Sequence, residues 1–281
     1  MRKVLNKLPN VDNFVDDIWV YSDNFEDHLI HLKALLERLR QAGLTAKPAK
    51  CYIACDEVDC LGHRIGGEGL KPNSEKVKAV ENMTRPETKK QIRSFLGMVG
   101  FYRRFIPNFS AIAIPLTDLT KKNSPNKISE WNESHEKAFT TLKQRLVNYP
   151  VLRLPKLDEP FILQTDASDN GIGAVLLQEE DGVKFPIAFA SKKLLSRERN
   201  YSVIEKECLA IVWSIDKFHR YLFGSKFILE TDHEPLRYLQ TAKTLNPRIM
   251  RWALKLQPYS FRIVAIRGRD NIGADCLSRQ A

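Results

Sequence analysis

Two short apolar runs in the second half of the chain each lead to a carboxylate. Phe161-Ile-Leu precedes Asp166, which is followed by small turn-forming residues and a second apolar run, Ala174 to Leu177. This pattern predicts a strand, a short break and a pairing strand. The strand predicted over Lys226 to Thr231 delivers Asp232 at its end in the same way. A carboxylate at a strand end lies on a rigid support, which suits a metal ligand, although Asp is also a common turn residue.

Apolar residues at helical spacing predict helices in both halves of the chain. The helix predicted over Glu26 to Gln41 ends at Gly43 and carries four leucines on one apolar face, Leu29, Leu32, Leu36 and Leu39. Further helices are predicted over Glu133 to Leu146 and over Tyr201 to Phe223, which carries Glu207 early in its length. Asn246-Pro247 starts another helix, with Asn as the cap and Pro at the first position.

Length and charge narrow the class of protein. A chain of 281 residues is expected to form about two domains, and its 43% hydrophobic content is ample for a core. The net charge is +10, and in a chain with several candidate catalytic acids this excess favours a nucleic-acid partner over general solubility alone. No apolar run approaches the roughly 20 residues of a membrane span, and the N-terminus lacks the apolar core of a signal peptide. The five Cys show no disulfide-like framework, so we expect a reducing compartment and no secretion.

A pair of adjacent acids lies between β-prone residues near the start of the chain. Phe14-Val15-Asp16-Asp17 precedes Ile18-Trp-Val, which predicts a tight hairpin presenting both acids at its tip. Paired carboxylates can hold a divalent metal for phosphoryl transfer, and the alternative is a plain acidic turn. Phe-Val-Asp-Asp resembles the aromatic-x-Asp-Asp motif of reverse transcriptases, which implies catalytic and metal-binding roles for Asp16 and Asp17.

The next segments resemble the same polymerases in order. Leu61-Gly62-His63, with Gly69-Leu-Lys-Pro72 after it, resembles the end of the palm and the primer grip of gypsy-class long-terminal-repeat retrotransposons. Pro86 to Arg104 resembles their thumb, with an apolar stripe at Ile92, Phe95, Leu96 and Val99. The resemblance implies nucleic-acid contacts by the residues Leu61, Gly62, His63, Lys89, Lys90, Arg93, Gly97, Arg103 and Arg104. Gly97 would admit a duplex backbone closely, whereas the alternative makes the basic residues a solvated face.

A cluster of cysteines invites a zinc interpretation. Cys51, Cys55, Cys60 and His63 lie close in sequence, but structural zinc sites use tight Cys pairs separated by a longer loop. Because the spacing is irregular, buried free cysteines are the expected arrangement.

The second half of the chain carries the most specific set of acids. Two acids at strand ends and two on helices can converge on one point, and carboxylates brought together repel one another unless cations neutralise them. The sequence motifs around these acids closely resemble the RNase H domain of gypsy-class elements. They are Thr-Asp-Ala-Ser, Glu-Lys-Glu-Cys-Leu-Ala, Thr-Asp-His and Asn-x-x-Ala-Asp-x-Leu-Ser-Arg. By motif position the resemblance implies a catalytic, metal-binding tetrad of Asp166, Glu207, Asp232 and Asp275. Glu207 matches rather than the nearby Glu205 because Cys-Leu-Ala follows it.

The resemblance implies a fold, a reaction and partners. We expect a mixed α/β (α+β) protein with a partial palm over 1–70, a helical thumb and connector over 71–157, and an RNase H-like sheet flanked by helices over 158–281. Two Mg²⁺ ions, with Mn²⁺ as a substitute, would support cleavage of RNA in RNA–DNA hybrids. The partners are then the hybrid and a template–primer, in a cytoplasmic retroelement particle or in the nucleus. The alternative is a non-catalytic nucleic-acid-binding remnant.

Two departures from the family qualify these expectations. The segment before Asp275 reads Val264-Ala265-Ile266-Arg267, without the His or Tyr that relatives carry there. The family's fingers and first polymerase Asp have no counterpart before Phe14, so we expect polymerase activity to need an upstream segment of the parent polyprotein. A further alternative is that the chain also needs this segment in order to fold. Half a palm sheet would otherwise expose strand edges.

Overall fold

The structure, a computed structural model, describes residues 1–232 and 246–266. It divides into two compact units, Met1–Val58 and Asp59–Ala281. The elements of the first unit are α1 (Arg2–Leu5), β1 (Val11–Phe14), β2 (Asp17–Val20), α2 (Phe25–Gln41) and a 3-10 turn, Pro48–Lys50.

The first unit is a small hairpin and helix assembly. Strands β1 and β2 pair antiparallel, and α2 begins at Asn24, whose side chain accepts a hydrogen bond from the Asp27 amide at 2.9 Å. Its buried residues are Leu35 and Leu39, which pack with Leu5. The predicted leucine face is therefore wrong for Leu29 and Leu36, each 50% exposed. The buried face is instead set by the few neighbours that the hairpin and α1 provide.

The second unit begins with a three-stranded sheet and a group of helices. A further 3-10 turn spans Arg103–Phe105, and the named elements are β3 (Glu57–Cys60, which starts at the boundary), β4 (His63–Gly66), β5 (Gly69–Pro72), α3 (Ser74–Glu81), α4 (Lys89–Phe101), α5 (Phe109–Ile112), α6 (Ile114–Asp118) and α7 (Glu133–Val147). The predicted stripe of α4 is confirmed by burial of Ile92, Phe95 and Val99. These side chains share one core with Leu142 and Leu146 of α7, because both helices are apolar on one face only.

The rest of the second unit is a mixed sheet with helices on it. Its elements are β6 (Phe161–Ala167), β7 (Gly171–Glu180), β8 (Val183–Lys193), α8 (Ser196–Arg199), α9 (Val203–Lys217), α10 (His219–Leu222), β9 (Lys226–Thr231), α11 (Pro247–Leu256) and β10 (Ser260–Ala265). The strand order is β10-β9-β6-β7-β8. Strands β6, β7 and β8 run antiparallel, whereas β9 is parallel to both β6 and β10.

The core of this sheet confirms the predicted mixed α/β class. Phe161 and Leu163 of β6 are fully buried with Ile211 and Ile215 of α9. The predicted helix Tyr201 to Phe223 is broken at Phe218, whose φ of −100° and ψ of 18° end α9 before α10 begins. Phe218 is itself 3% exposed, so its ring packs into the core at the break. Within the described ranges, we find no helix with the length and apolarity of a membrane span.

Candidate carboxylate site and nucleic-acid interface

Three of the four predicted tetrad acids meet at one end of the mixed sheet. Asp166 lies near the end of β6, Glu207 lies on α9, and Asp232 directly follows β9. One carboxylate oxygen of each lies within 4.8 Å of the others. Asp166 and Glu207 are buried, at 2% and 5% exposed, and Asp232 is half-buried. Asp275 lies outside the described residues.

The strand register explains why two of these acids meet. Strands β6 and β9 are parallel neighbours in which Gln164 pairs with Glu230. Two further residues along both strands reach Asp166 and Asp232. Because successive side chains alternate between faces, residues at matched positions of parallel strands point to the same side. The two acids therefore face the same region without any further adjustment.

The third acid is brought in by helix α9. The helix begins with a capping box in which the Glu205 amide donates to Ser202 Oγ at 3.3 Å and the Ser202 amide donates to Glu205 Oε2 at 3.0 Å. Two residues later, Glu207 Oε1 accepts a hydrogen bond from the Ala167 amide at 3.3 Å. Glu207 is thus tied to the backbone directly after Asp166, whereas Glu205 faces Asn246 and Arg248.

The donor set fits a divalent cation. Oxygen atoms from three carboxylates are the ligands that Mg²⁺ prefers in proteins, and buried carboxylates that lie together repel one another when no cation is present. Among the described residues, these three form the one group of His, Cys, Asp and Glu side chains close enough to share an ion. The residues that would hold the metal are therefore Asp166, Glu207 and Asp232.

The predicted acidic hairpin is present in the first unit. Phe14 pairs with Asp17, so Val15 and Asp16 form a two-residue turn. Both acids are exposed. Val15 has a φ of 56°, which is a strained conformation for a β-branched residue and is typical of functional turns. The turn presents its carboxylates to solvent at the expense of backbone strain.

The segment Leu61-Gly62-His63 forms the turn between β3 and β4. Gly62 has a φ of 80°, and a Cβ there would lie 3.2 Å from the Phe101 ring. Its carbonyl accepts a hydrogen bond from Tyr102 Oη at 2.7 Å. The His63 ring lies among Phe101, Tyr102 and Phe105, at centroid distances of 5.1, 5.6 and 5.8 Å, and desolvation by this burial lowers its pKa. Leu61 is exposed, so the end of α4 anchors this turn and leaves Leu61 facing solvent.

The structure contradicts the predicted phosphate contact at Lys89. This side chain is buried, and its Nζ donates to the backbone carbonyls of Lys121, Lys122 and Ser124. Its neighbour Lys90 is exposed. Two adjacent lysines therefore have different roles: Lys89 fastens a loop, and Lys90 faces solvent because it lies one helical step further round.

Two of the predicted basic contacts are engaged inside the protein. Arg103 Nη2 donates to the Ser191 carbonyl at 2.9 Å and to Ser110 Oγ at 3.2 Å. Arg104 Nη2 donates to Tyr221 Oη at 3.3 Å. Burial lowers the pKa of Arg103 by desolvation. Arg103 therefore joins the α4 region to β8 of the mixed sheet, and Arg104 joins it to α10.

Sequence reasoning missed the partner of Arg103. Ser191 of β8 is 4% exposed, accepts from the Ser110 amide at 2.9 Å, and receives Ser110 Oγ on its own carbonyl at 2.7 Å. Nothing local in the sequence marks either serine, since the two lie far apart along the chain.

Arg93 is exposed and donates to the Thr120 carbonyl at 3.0 Å.

Gly97 lies on the solvent side of α4. It is exposed, and a Cβ built on it would meet nothing within 4 Å. Together with Lys90 and Arg93, which are also exposed, it forms the part of the predicted thumb surface that remains open.

The predicted burial of the clustered cysteines is wrong. Cys51 and Cys55 are exposed, and Cys60 is partly exposed. The segment between α2 and β3 is covered by too few neighbours to bury them. In the described part of the chain, no group that includes these cysteines and His63 is close enough to hold a metal.

Two segments of the chain match known protein families. Residues 156–259 match the RNase H-like domain found in reverse transcriptase, and residues 1–65 match the reverse transcriptase (RNA-dependent DNA polymerase) family. The protein therefore combines two domains of nucleic-acid enzymes, a segment of a reverse transcriptase and an RNase H-like domain.

Several relatives are similar over nearly the whole chain. The Pol polyprotein of transposon 297 from Drosophila melanogaster is 40% identical over 279 residues, which is 99% of this chain and 26% of the relative. That of transposon gypsy from the same organism is 37% identical over 290 residues, 100% of this chain and 27% of the relative. The transposon Tf2-3 polyprotein of Schizosaccharomyces pombe is 36% identical over 278 residues, 97% of this chain and 21% of the relative.

Solved structures show the same fold. Foamy viral protease–reverse transcriptase in complex with double-stranded DNA matches with a TM-score of 0.84 and 25% identity, over 95% of this chain and 56% of that one. The same enzyme in complex with an RNA/DNA hybrid matches with a TM-score of 0.82 and 25% identity, over 94% of this chain and 36% of that one.

The chain belongs to the Pol polyproteins of LTR retrotransposons. It spans about a quarter of the length of the curated relatives that it matches.

Proposed function

We propose that the second half of the chain is a ribonuclease H that uses Mg²⁺ to cut the RNA strand of RNA–DNA hybrids. The observation that carries the proposal is the convergence of Asp166, Glu207 and Asp232, with carboxylate oxygens within 4.8 Å of one another. The match to an RNase H-like domain over residues 156–259 and the hybrid bound by the foamy viral relative support it. By motif position, Asp275 supplies the fourth carboxylate.

The residues of the chain divide the work of the proposed reaction. Asp166 and Asp232 are held by adjacent strands, and Glu207 is held by α9 through the Ala167 amide. A bound divalent pair supplies an activated water and steadies the leaving oxygen in this chemistry. The rigid strand ends keep the carboxylates close together before substrate arrives, which lowers the reorganisation that the reaction requires.

The substrate surface is proposed for the open part of the thumb and for the turn before β4. Lys90, Arg93 and Gly97 are exposed on α4, and Leu61 is exposed beside Gly62. RNA–DNA duplexes are recognised through shape, phosphates and 2′-hydroxyl groups rather than base edges, so we propose a hybrid bound without sequence preference.

A cleavage assay tests the proposal. The full chain is mixed with an end-labelled RNA–DNA hybrid while Mg²⁺ is titrated, and Asp232→Asn serves as the matched variant. We expect Mg²⁺-dependent cutting of the RNA strand only, with no cutting of single-stranded RNA or duplex DNA, and loss of cutting in Asp232→Asn. If the wild type binds the hybrid but never cuts it, the chain is a non-catalytic nucleic-acid-binding module instead.

A second activity is favoured by the acidic hairpin. We propose that Asp16 and Asp17 supply metal-binding carboxylates for RNA-directed DNA synthesis, on the basis of their exposed tip and the family match over residues 1–65. Two-metal phosphoryl transfer draws ligands from more than one chain segment, so we propose that further parts of a longer polyprotein complete this site on the template–primer. Primer extension by the longer protein, with and without Asp16→Asn, tests this proposal.

A further inference from the structure

Three consecutive residues at the start of α9 reach three different parts of the fold. Glu205 binds Arg248 and Asn246 around α11, Lys206 binds Asp169 in the loop between β6 and β7, and Glu207 joins the carboxylate cluster. Successive helical residues point about 100° apart, so these contacts fix both the rotation and the height of the helix. Glu207 Oε1 also accepts a hydrogen bond from the Ala167 amide at 3.3 Å.

Lys206 is the unusual member of this trio. Its side chain is 10% exposed although it is a cation, and its Nζ lies 2.6 Å from Asp169 Oδ1. Lysine is almost never buried unless it is paired. The side chain of its partner, Asp169, is 92% exposed. Solvent therefore screens the ion pair, and its contribution to global stability is small. A buried lysine with a weakly stabilising partner points to a role other than stability.

The loop that Lys206 grips is the continuation of the strand that carries Asp166. Ser168 closes it by accepting hydrogen bonds at Oγ from the Gly171 amide at 3.1 Å and the Asn170 amide at 3.3 Å. The Leu194 amide also donates to the Asn170 carbonyl at 2.8 Å. Asp169 is therefore attached to a stiff turn, and a contact to it transmits the position of that turn to α9.

We propose that Lys206 is a positioning residue that, through Asp169, sets the distance between Glu207 and Asp166. The proposal rests on the proposed metal-dependent function. Mg²⁺ requires oxygen ligands at close to ideal distances, and sites lose function when their support is loose by about 1 Å. Lys206 and Glu207 hold the same short stretch of chain, at Asp169 and Ala167, so losing the first contact frees the second to shift.

Metal affinity separates positioning from simple charge. Lys206→Met keeps the buried aliphatic stem and removes the cation, and Asp169→Ala removes its partner. If the pair acts only by charge, the lysine variant binds cations more tightly and the aspartate variant binds them less tightly. If it positions Glu207, both variants bind cations less tightly, by about tenfold as is typical for outer partners of metal ligands. The double variant is then no weaker than either single one, because the two residues act as a unit.

The experiment is a Mn²⁺ titration of the full chain by calorimetry, with metal-free thermal unfolding of each variant. Lys192→Met is the matched control, since it removes another partly buried lysine–carboxylate pair, in which Lys192 Nζ of β8 lies 2.8 Å from Glu198 Oε1 of α8. We expect wild-type affinity in the control, the coupled tenfold losses above, and unfolding temperatures close to wild type. Asp169→Asn, which keeps an oxygen acceptor, should restore part of the loss.

The outcomes distinguish the two proposals. If Asp232→Asn binds Mn²⁺ as well as the wild type, the carboxylates hold no metal, and both the proposed function and this inference are overturned. If Asp232→Asn loses binding while Lys206→Met keeps wild-type or tighter binding, the function stands and the positioning role of Lys206 is overturned.

Discussion

Glu205 and Glu207 lie two residues apart on α9 and have separate partners. Glu205 is held by Ser202, Asn246 and Arg248, with Arg248 Nη1 at 2.6 Å. Glu207 lies with Asp166 and Asp232. The two side chains point about 200° apart around the helix, and this angle separates a structural acid from a candidate metal ligand.

Neutralising these two acids should have opposite effects on stability. Glu207→Gln relieves repulsion among three clustered carboxylates, so we expect the metal-free free energy of unfolding to rise by about 1 kcal/mol, the Coulomb energy of two solvent-screened charges about 4 Å apart. Glu205→Gln deprives Arg248 and its neighbours of their anion, so we expect a loss of about 1 to 3 kcal/mol. Urea unfolding in the presence of a chelator measures both.

The Glu207→Gln and Glu205→Gln variants should also differ in their rates of hybrid cleavage. Glu207→Gln removes one of the proposed metal ligands. Because a catalytic metal stabilises transition-state charge by several kcal/mol, we expect hybrid cleavage to fall by about 1000-fold or more. Glu205→Gln should retain most of the cleavage rate at saturating Mg²⁺. Equal losses in the two variants would show that Glu207 has no special place in the reaction.

Lys89 and Lys90 are adjacent residues that should respond in different assays. Lys89→Ala leaves the loop carbonyls at Lys121, Lys122 and Ser124 without their donor, so we expect a loss of about 1 to 3 kcal/mol in stability. Lys90→Ala should leave stability unchanged. It should flatten the dependence of log affinity for the hybrid on log salt by about one unit if it contacts one phosphate.

An unchanged salt slope in Lys90→Ala would remove that lysine from the interface. Lys89→Ala measured at a temperature where it remains folded should keep the wild-type slope, and a reduced slope there would mean that the buried lysine is released to the hybrid on binding.

Gly97→Ala tests whether a duplex approaches the α4 backbone. Nothing lies within 4 Å of the added methyl group, and alanine is favoured over glycine within a helix by about 1 kcal/mol. We therefore expect a more stable protein that binds the hybrid less tightly. Higher stability with unchanged hybrid affinity would place the duplex elsewhere.

The cysteines should divide sharply in thiol chemistry. Cys208 is fully buried, and desolvation by that burial raises its pKa to about 12. We expect iodoacetamide at pH 8 to modify Cys51 and Cys55 quickly, as both are exposed, and to reach Cys208 only after unfolding. Mass spectrometry of digested protein identifies each site, and rapid modification of Cys208 in folded protein would contradict this.

The pH dependence of stability follows from the same shift. Above the ordinary thiol pKa the unfolded chain releases the Cys208 proton, whereas the folded chain keeps it until about pH 12. The unfolded state then binds fewer protons, so stability falls as pH rises through this window. A Cys208→Ala variant should lose less stability than the wild type between pH 8 and pH 10, measured relative to its own value at pH 7.

The sequence alone determined the elements that depend on local chemistry. The acidic hairpin, the strand before Asp232 and the Asn246 cap of α11 follow from alternation, turn residues and capping, which act between near neighbours. The family motifs also singled out Glu207 over Glu205, and in the structure Glu207 lies beside Asp166 and Asp232.

Only the tertiary structure decided which groups meet across the chain. The register of β6 and β9 brings Asp166 beside Asp232. Arg103 donates a hydrogen bond to the Ser191 carbonyl within the protein. The loop after α6 buries Lys89. Tertiary packing also decided which leucines of α2 stay exposed, namely Leu29 and Leu36. The local sequence gives the chemistry of each side chain, apolar or charged. Whether that side chain is buried depends on which distant segment packs over it, and the tertiary fold decides this.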